Sequence, residues 1–313
     1  MLRLLSALWF ALGAVSPPTA TLIAVHDTPG TAQDVALAGE LAFVADGNAG
    51  LRILDVSHPE APREVGAFDT PGFAWHVAVS GSLAFVADGS AGLRILDISQ
   101  PEHPVSLAVV DTPDFAVGVG VAGSRVLVAD RLSGVHLIDV SDPSAPHTLG
   151  VARTDGAALA VALTGDIAWI ADGDRGLRSV DFSAPSHPKT LGRLETPGSA
   201  TALCLAGPLA LVADRLGGLR LIDVSRPAQP RELGAMLLER AFALGVSASG
   251  GLAFVAARDT GVLVVDISSP PTPRLLLTID TPGEAWDVER RGHLVFVADG
   301  SAGLRILREN GLD

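Results

Sequence analysis

Apolar residues along this chain fall in runs of four to six, rich in Val, Ile, Leu and Phe, each cut off by Gly, Asp, Asn or Pro. Leu41-Ala42-Phe43-Val44-Ala45 gives way to Asp46-Gly47-Asn48-Ala49-Gly50, and Leu51-Arg52-Ile53-Leu54-Asp55 follows at once. Runs this short, bounded by residues that supply positive φ or block strand continuation, read as strands joined by tight turns. No segment carries a 3.6-residue apolar period long enough to set up a helical repeat.

The pattern then recurs. Phe43-Val44-Ala45-Asp46-Gly47 returns as Phe85 to Gly89 and as Phe296 to Gly300, and the same aspartate position holds Asp88, Asp130, Asp172, Asp214 and Asp299, with Ala257 as the one substitute. The steps between copies are 42, 42, 42, 42, 43 and 42 residues. Leu51 to Ser57 is echoed at Leu93, Val135, Leu177, Leu219 and Val262, and a proline follows at 62, 104, 146, 188, 230 and 273. Each unit therefore predicts four strands; in the second repeat they are His76–Val79, Leu83–Ala87, Leu93–Asp97 and Val105–Val110. Four short strands at this spacing are the signature of a propeller blade.

The chain ends set the blade count. The last unit stops near Asn310 without a fourth strand, whereas Leu22-Ile23-Ala24-Val25 is a fourth strand with no blade before it. Pairing the two removes both exposed edges and closes a ring of seven blades. The fold expected is all-β, a seven-bladed β-propeller of four antiparallel strands per blade, sealed by the N-terminal strand.

The strand Leu51-Arg52-Ile53-Leu54-Asp55 and its copies resemble the LVIVD-repeat proteins, bacterial and archaeal secreted or surface proteins. The resemblance covers about 21 to 313 and implies a propeller but no activity, cofactor or catalytic residue. Three departures stand out: Ala257 for the aspartate, Arg308 for the later aspartate of the strand, and Leu238-Glu239-Arg240 where an Asp-Thr-Pro-Gly turn belongs.

The first twenty residues differ from the rest. A basic start, an apolar run from Leu4 to Val15 and a small polar segment ending at Ala20 fit a signal peptide over 1–20, with the propeller over 21–313. About twelve apolar residues are too few to span a bilayer, which needs about 20. The mature chain is expected to be a soluble monomer in the periplasm or outside the cell, with no transmembrane segment. Formal net charge is −13 and Lys189 is the sole lysine, so nucleic acid is not an expected partner. Cys204 is the single cysteine and sits in an apolar run, which reads as a small buried hydrophobe.

Asp46, Asp88, Asp130, Asp172, Asp214 and Asp299 invite a calcium reading. Each turn offers too few carboxylates for an ion that takes 6–8 oxygens, so a structural role is expected, a short carboxylate accepting turn N–H groups once per hairpin. A ligand is not sevenfold symmetric, so a binding site belongs where the copies differ. At the start of the inner strands, blades seven, one and two offer Trp286-Asp287, Gln33-Asp34 and Trp75-His76, whereas the other four carry mostly small or aliphatic residues. In the loop between second and third strands, blades seven, one and two are small, and blades three to six carry Arg131, Arg175, Arg215 and Arg258. Aromatic faces and an arginine arc suit recognition of a protein, peptide or glycan on one loop face. The alternative is a lactonase-like propeller hydrolase using Asp34, His76 and Asp287, with His76 as base or the three holding a divalent metal. No nucleophile elbow, metal-ligand spacing or cofactor fingerprint appears, so no catalytic residue, metal or cofactor is assigned.

Overall fold

A computed structural model describes residues 18–238 and 241–311. Most of the expected leader, and Glu239 and Arg240 of the irregular turn, lie outside them. Among the described residues, 28 strands form seven four-stranded antiparallel sheets, each in sequence order except the last. That sheet takes its fourth strand from the N-terminus: Thr19–His26 pairs with Leu304–Asn310 from Thr19↔Asn310 to His26↔Leu304, with a bulge between Leu22 and Ala24. The closing strand is longer than the sequence indicated, and cleavage after Ala20 would remove its first two residues. Blade two consists of His76–Ser80, Leu83–Ala87, Leu93–Asp97 and Val105–Val110.

Each blade lies between two others, so its second and third strands bury both faces and read as continuous apolar runs rather than alternating ones. Phe43, Phe85, Phe254 and Phe296 on the second strands are at most 1% exposed, and Trp169 occupies the same layer at 2%. Outer strands such as Arg63–Phe68 are exposed or half-buried, as their polar residues require. Inner strands pack side by side around a central channel, that of blade seven against that of blade one.

The repeated aspartates sit in the joints between blades. Asp46 Oδ1 accepts the Thr28 hydroxyl at 2.6 Å and Oδ2 the Gly30 N–H at 2.8 Å, both from the turn that leads out of the preceding blade. The Thr hydroxyl contact recurs as Thr70–Asp88, Thr112–Asp130, Thr196–Asp214 and Thr281–Asp299. The donors come from 16 and 18 residues upstream, across the joint. At blade four, Asp172 takes the Gly156 N–H and two bonds from Arg178, at 3.0 and 2.8 Å. The later aspartates, such as Asp55 bonded to the Ser57 N–H at 2.9 Å, hold local turns.

The joint into blade six explains two of the departures together. Where its counterparts use Thr, Asp and an arginine or histidine, this joint has Leu238, Ala257 and Leu263, all at most 8% exposed and all in one apolar cluster. Removing one partner of a buried polar contact leaves the other unsatisfied, whereas replacing all of them by apolar groups is close to neutral.

Candidate binding site at the channel mouth

One end of the channel opens into a cavity of about 590 Å³, within the range of small-ligand sites. Gln33, Asp34, Trp75, His76, Trp286 and Asp287 all line it. Asp34 and Asp287, the first residues of their inner strands, reach across the joint to the next blade. Asp34 thereby accepts the Val77 N–H at 2.7 Å, and Asp287 the Val35 N–H at 3.4 Å across the ring closure. His76 Nδ1 lies 3.5 Å from Asp34 Oδ2. In blades three to six the position is Gly118, Ala160, Ala202 and Gly245, which have no acceptor to offer. Gly245 also makes room: a Cβ there would stand 2.6 Å from Asp287 Oδ1.

A third carboxyl belongs to this group. Glu289 lies two residues further along the inner strand than Asp287 and lines the same cavity. Sequence reasoning missed it because only the first positions of the inner strands were compared. Its counterparts, Ala36, Ala78, Gly120, Ala162, Cys204 and Ser247, carry no acid, so the same comparison one step deeper finds it. Burial pushes the Asp34 carboxyl up to about 7 against the pull of the Val77 N–H. Asp287 stands well above the usual carboxylate range through burial and then the charge of Asp34. Glu289 rises to about 8 through burial and then the charge of Asp287. Burial lowers His76, partly offset by Asp287. Cys204 is half-buried on the channel wall rather than sealed in a core, and burial followed by the Glu289 charge lifts its thiol to about 11, so it is a poor nucleophile.

The four arginines are not one set. Arg131, Arg215 and Arg258 occupy the first hairpin position, filled by glycine in the other four blades, with φ of 42°, 46° and 49°. Left-handed backbone costs a non-glycine residue roughly 1–2 kcal/mol. Arg175 sits two residues later in its hairpin, after Gly173, and is not among the cavity-lining residues. Arg258 is held by Glu284 at 2.9 Å and is likewise absent from the lining. Arg131 and Arg215 do line the cavity, and among the described residues neither makes an ion pair; Arg131 lies over the Phe115 ring at 5.8 Å. The residues that follow them, Leu132 and Leu216, are 73% and 63% exposed. That apolar rim was not singled out from sequence, although Arg-Leu at this position occurs only in blades three and five.

Known proteins resemble this chain in fold and repeat. A family model described as the LVIVD repeat matches seven times, over residues 29–70, 71–112, 116–154, 155–196, 197–237, 242–281 and 282–307. No curated protein matches. Among solved structures, the RRP9 WD40 repeats superpose with a TM-score of 0.78 at 14% identity, covering 93% of this chain and 97% of that one. The Neurospora crassa Pan2 WD40 domain gives 0.73 at 13%, covering 92% and 95%. The computationally designed Ika8 protein gives 0.70 at 11%, covering 92% and 99%. At these identities the likeness speaks to fold alone.

Proposed function

This chain belongs to the LVIVD-repeat family, and from that premise, which supplies a ring but no chemistry, we propose that it is a non-catalytic binding scaffold recognising a protein, peptide or glycan at its channel mouth. One observation carries the reading. The polar groups repeated around the ring are bonded within the joints, whereas Asp34, His76, Asp287, Glu289, Arg131 and Arg215, which differ between blades, line a single cavity. Trp75 and Trp286 line it, Arg131 and Arg215 bring cations that form no ion pair among the described residues, and Leu132 and Leu216 give an apolar rim, a composition typical of recognition surfaces. The leader-like residues 1–20 support an extracytoplasmic site of action.

The hydrolase alternative gains from the convergence of Asp34, His76 and Asp287. Against it, both aspartates are engaged by N–H groups of the next blade. Among the described residues no group of three or more His, Cys, Asp or Glu side chains is arranged to hold a metal ion. The test is a thermal-shift and tryptophan-fluorescence screen of peptide and glycan collections against the wild type and the Trp75→Ala/Trp286→Ala variant. Ligands of the wild type are expected to be lost in the variant; ligands that bind both equally would remove the channel mouth from consideration.

A further inference from the structure

The charged groups of this cavity have an order, across it and along it. In a ring of seven, the point opposite blade four is the joint between blades seven and one. Arg131 and Arg215 stand on blades three and five, flanking blade four, and the three carboxyls stand on blades seven and one. The arginines belong to hairpins at the rim, bridged to the residues that lead into the next inner strand. Asp34 and Asp287 are the first residues of their inner strands. Glu289 lies two residues further down, about 6.6 Å at the usual rise of ~3.3 Å per strand residue. Cations at the rim on one side, with carboxyls descending the opposite wall, describe the complement of a ligand whose anion stays at the mouth while its cation goes in.

We propose that the cavity accepts the C-terminal lysine or arginine of a peptide, its terminal carboxylate held at the rim by Arg131 and Arg215 and its basic side chain running down past Asp34 and Asp287 to Glu289. The proposal rests on the channel mouth being the binding face. The methylenes of the basic side chain would pass Trp75 and Trp286, whose faces also attract a cation. The residues preceding the terminus would lie over the exposed Leu132 and Leu216. Two guanidiniums with no acidic partner among the described residues, unlike Arg258 with Glu284, meet a carboxylate without first breaking an ion pair there.

Fluorescein-labelled Ala-Leu-Ala-Lys tests this by anisotropy, as the free acid, as the C-terminal amide, and with norleucine in place of lysine. The free acid is expected to bind at least roughly tenfold more tightly than either, the worth of one charge-assisted contact. In Arg131→Gly/Arg215→Gly the acid and the amide should bind alike; in Glu289→Gln the lysine and norleucine peptides should converge. Equal binding of acid and amide to the wild type, equal binding of lysine and norleucine, or no binding at millimolar peptide would each overturn the proposal. Trp75→Ala/Trp286→Ala then separates the two levels. Undiscriminating binding lost in that variant sinks the terminal-residue proposal and leaves the channel mouth standing, while binding that survives sinks both.

Discussion

Asp46 and Asp34 belong to the same blade, and both are buried, at 0% and 6% exposure. Burial raises both carboxyls, yet they sit in different electrostatic settings. Asp46 takes a hydroxyl and an N–H across its joint, with the Arg52 guanidinium alongside. Asp34 has one close donor, and two further carboxyls face the same cavity. The first arrangement recurs around the ring; the second exists once. Buried carboxyls with donors matched to their oxygens hold blades together, whereas carboxyls crowded with one another and open to a cavity hold protons that a ligand can displace.

The sharpest way to probe the first half of that contrast uses the joint that lacks it. Asp88→Ala leaves the Thr70 hydroxyl and the Gly72 N–H without their acceptor and the Arg94 guanidinium without its ion-pair partner, and is expected to cost about 3–5 kcal/mol in urea unfolding. Thr70→Leu/Asp88→Ala/Arg94→Leu copies the Leu238, Ala257 and Leu263 arrangement and should return to within about 1 kcal/mol of the wild type. A triple variant as unstable as the single would show that the apolar joint depends on its own surroundings in blade six.

That joint also marks how far the chain could be read unaided. The blade period, the seven-blade count and the closing strand follow from local signals repeated at a fixed step, because Gly, Pro and strand patterns act within a few residues. Ala257 and the Leu238 turn were each visible as irregularities, but not as two sides of one contact. They lie 19 residues apart on different blades, and only the packing of the joint brings them together. Only two of the four arginines line the cavity, for a related reason. Arg131 and Arg175 look equivalent by eye, yet the hairpin register puts one at a left-handed position on the cavity and the other two residues beyond it.

The second half of the contrast is open to pH. The Asp34 carboxyl ionises near 3.8 in the unfolded chain and near 7 in the ring. Between those values the folded protein keeps a proton that the unfolded chain gives up. Its contribution is therefore fully present below about pH 4, is lost as pH rises toward 7, and is level above. Asp34→Asn keeps an acceptor for the Val77 N–H and removes this titration. By chemical denaturation the variant should exceed the wild type by on the order of 4 kcal/mol at pH 8 and match it near pH 4. His76, Asp287, Glu289 and Cys204 titrate in the same cavity, so the difference between variant and wild type, rather than either curve alone, isolates Asp34. A constant gap across that window would mean that Asp34 is ionised in the folded ring.

The smallest effect bears most directly on whether the rim arginines await a ligand. Arg131 and Arg215 hold left-handed backbone where four blades have glycine. Glycine there relieves roughly 1 kcal/mol of strain, of which its greater freedom in the unfolded chain takes back 0.5–1 kcal/mol. Arg131→Gly and Arg215→Gly should thus be neutral or stabilising by a few tenths of a kcal/mol, read as a small rise in the midpoint of urea unfolding. Arg258→Gly is the internal control, since it gains the same relief but gives up the half-exposed ion pair with Glu284, worth about 0–1 kcal/mol. It should fall below the other two. Were Arg131→Gly or Arg215→Gly instead to lose as much as Arg258→Gly, that side chain would already be making its contacts within the ring, and its strained position would serve the fold rather than a ligand.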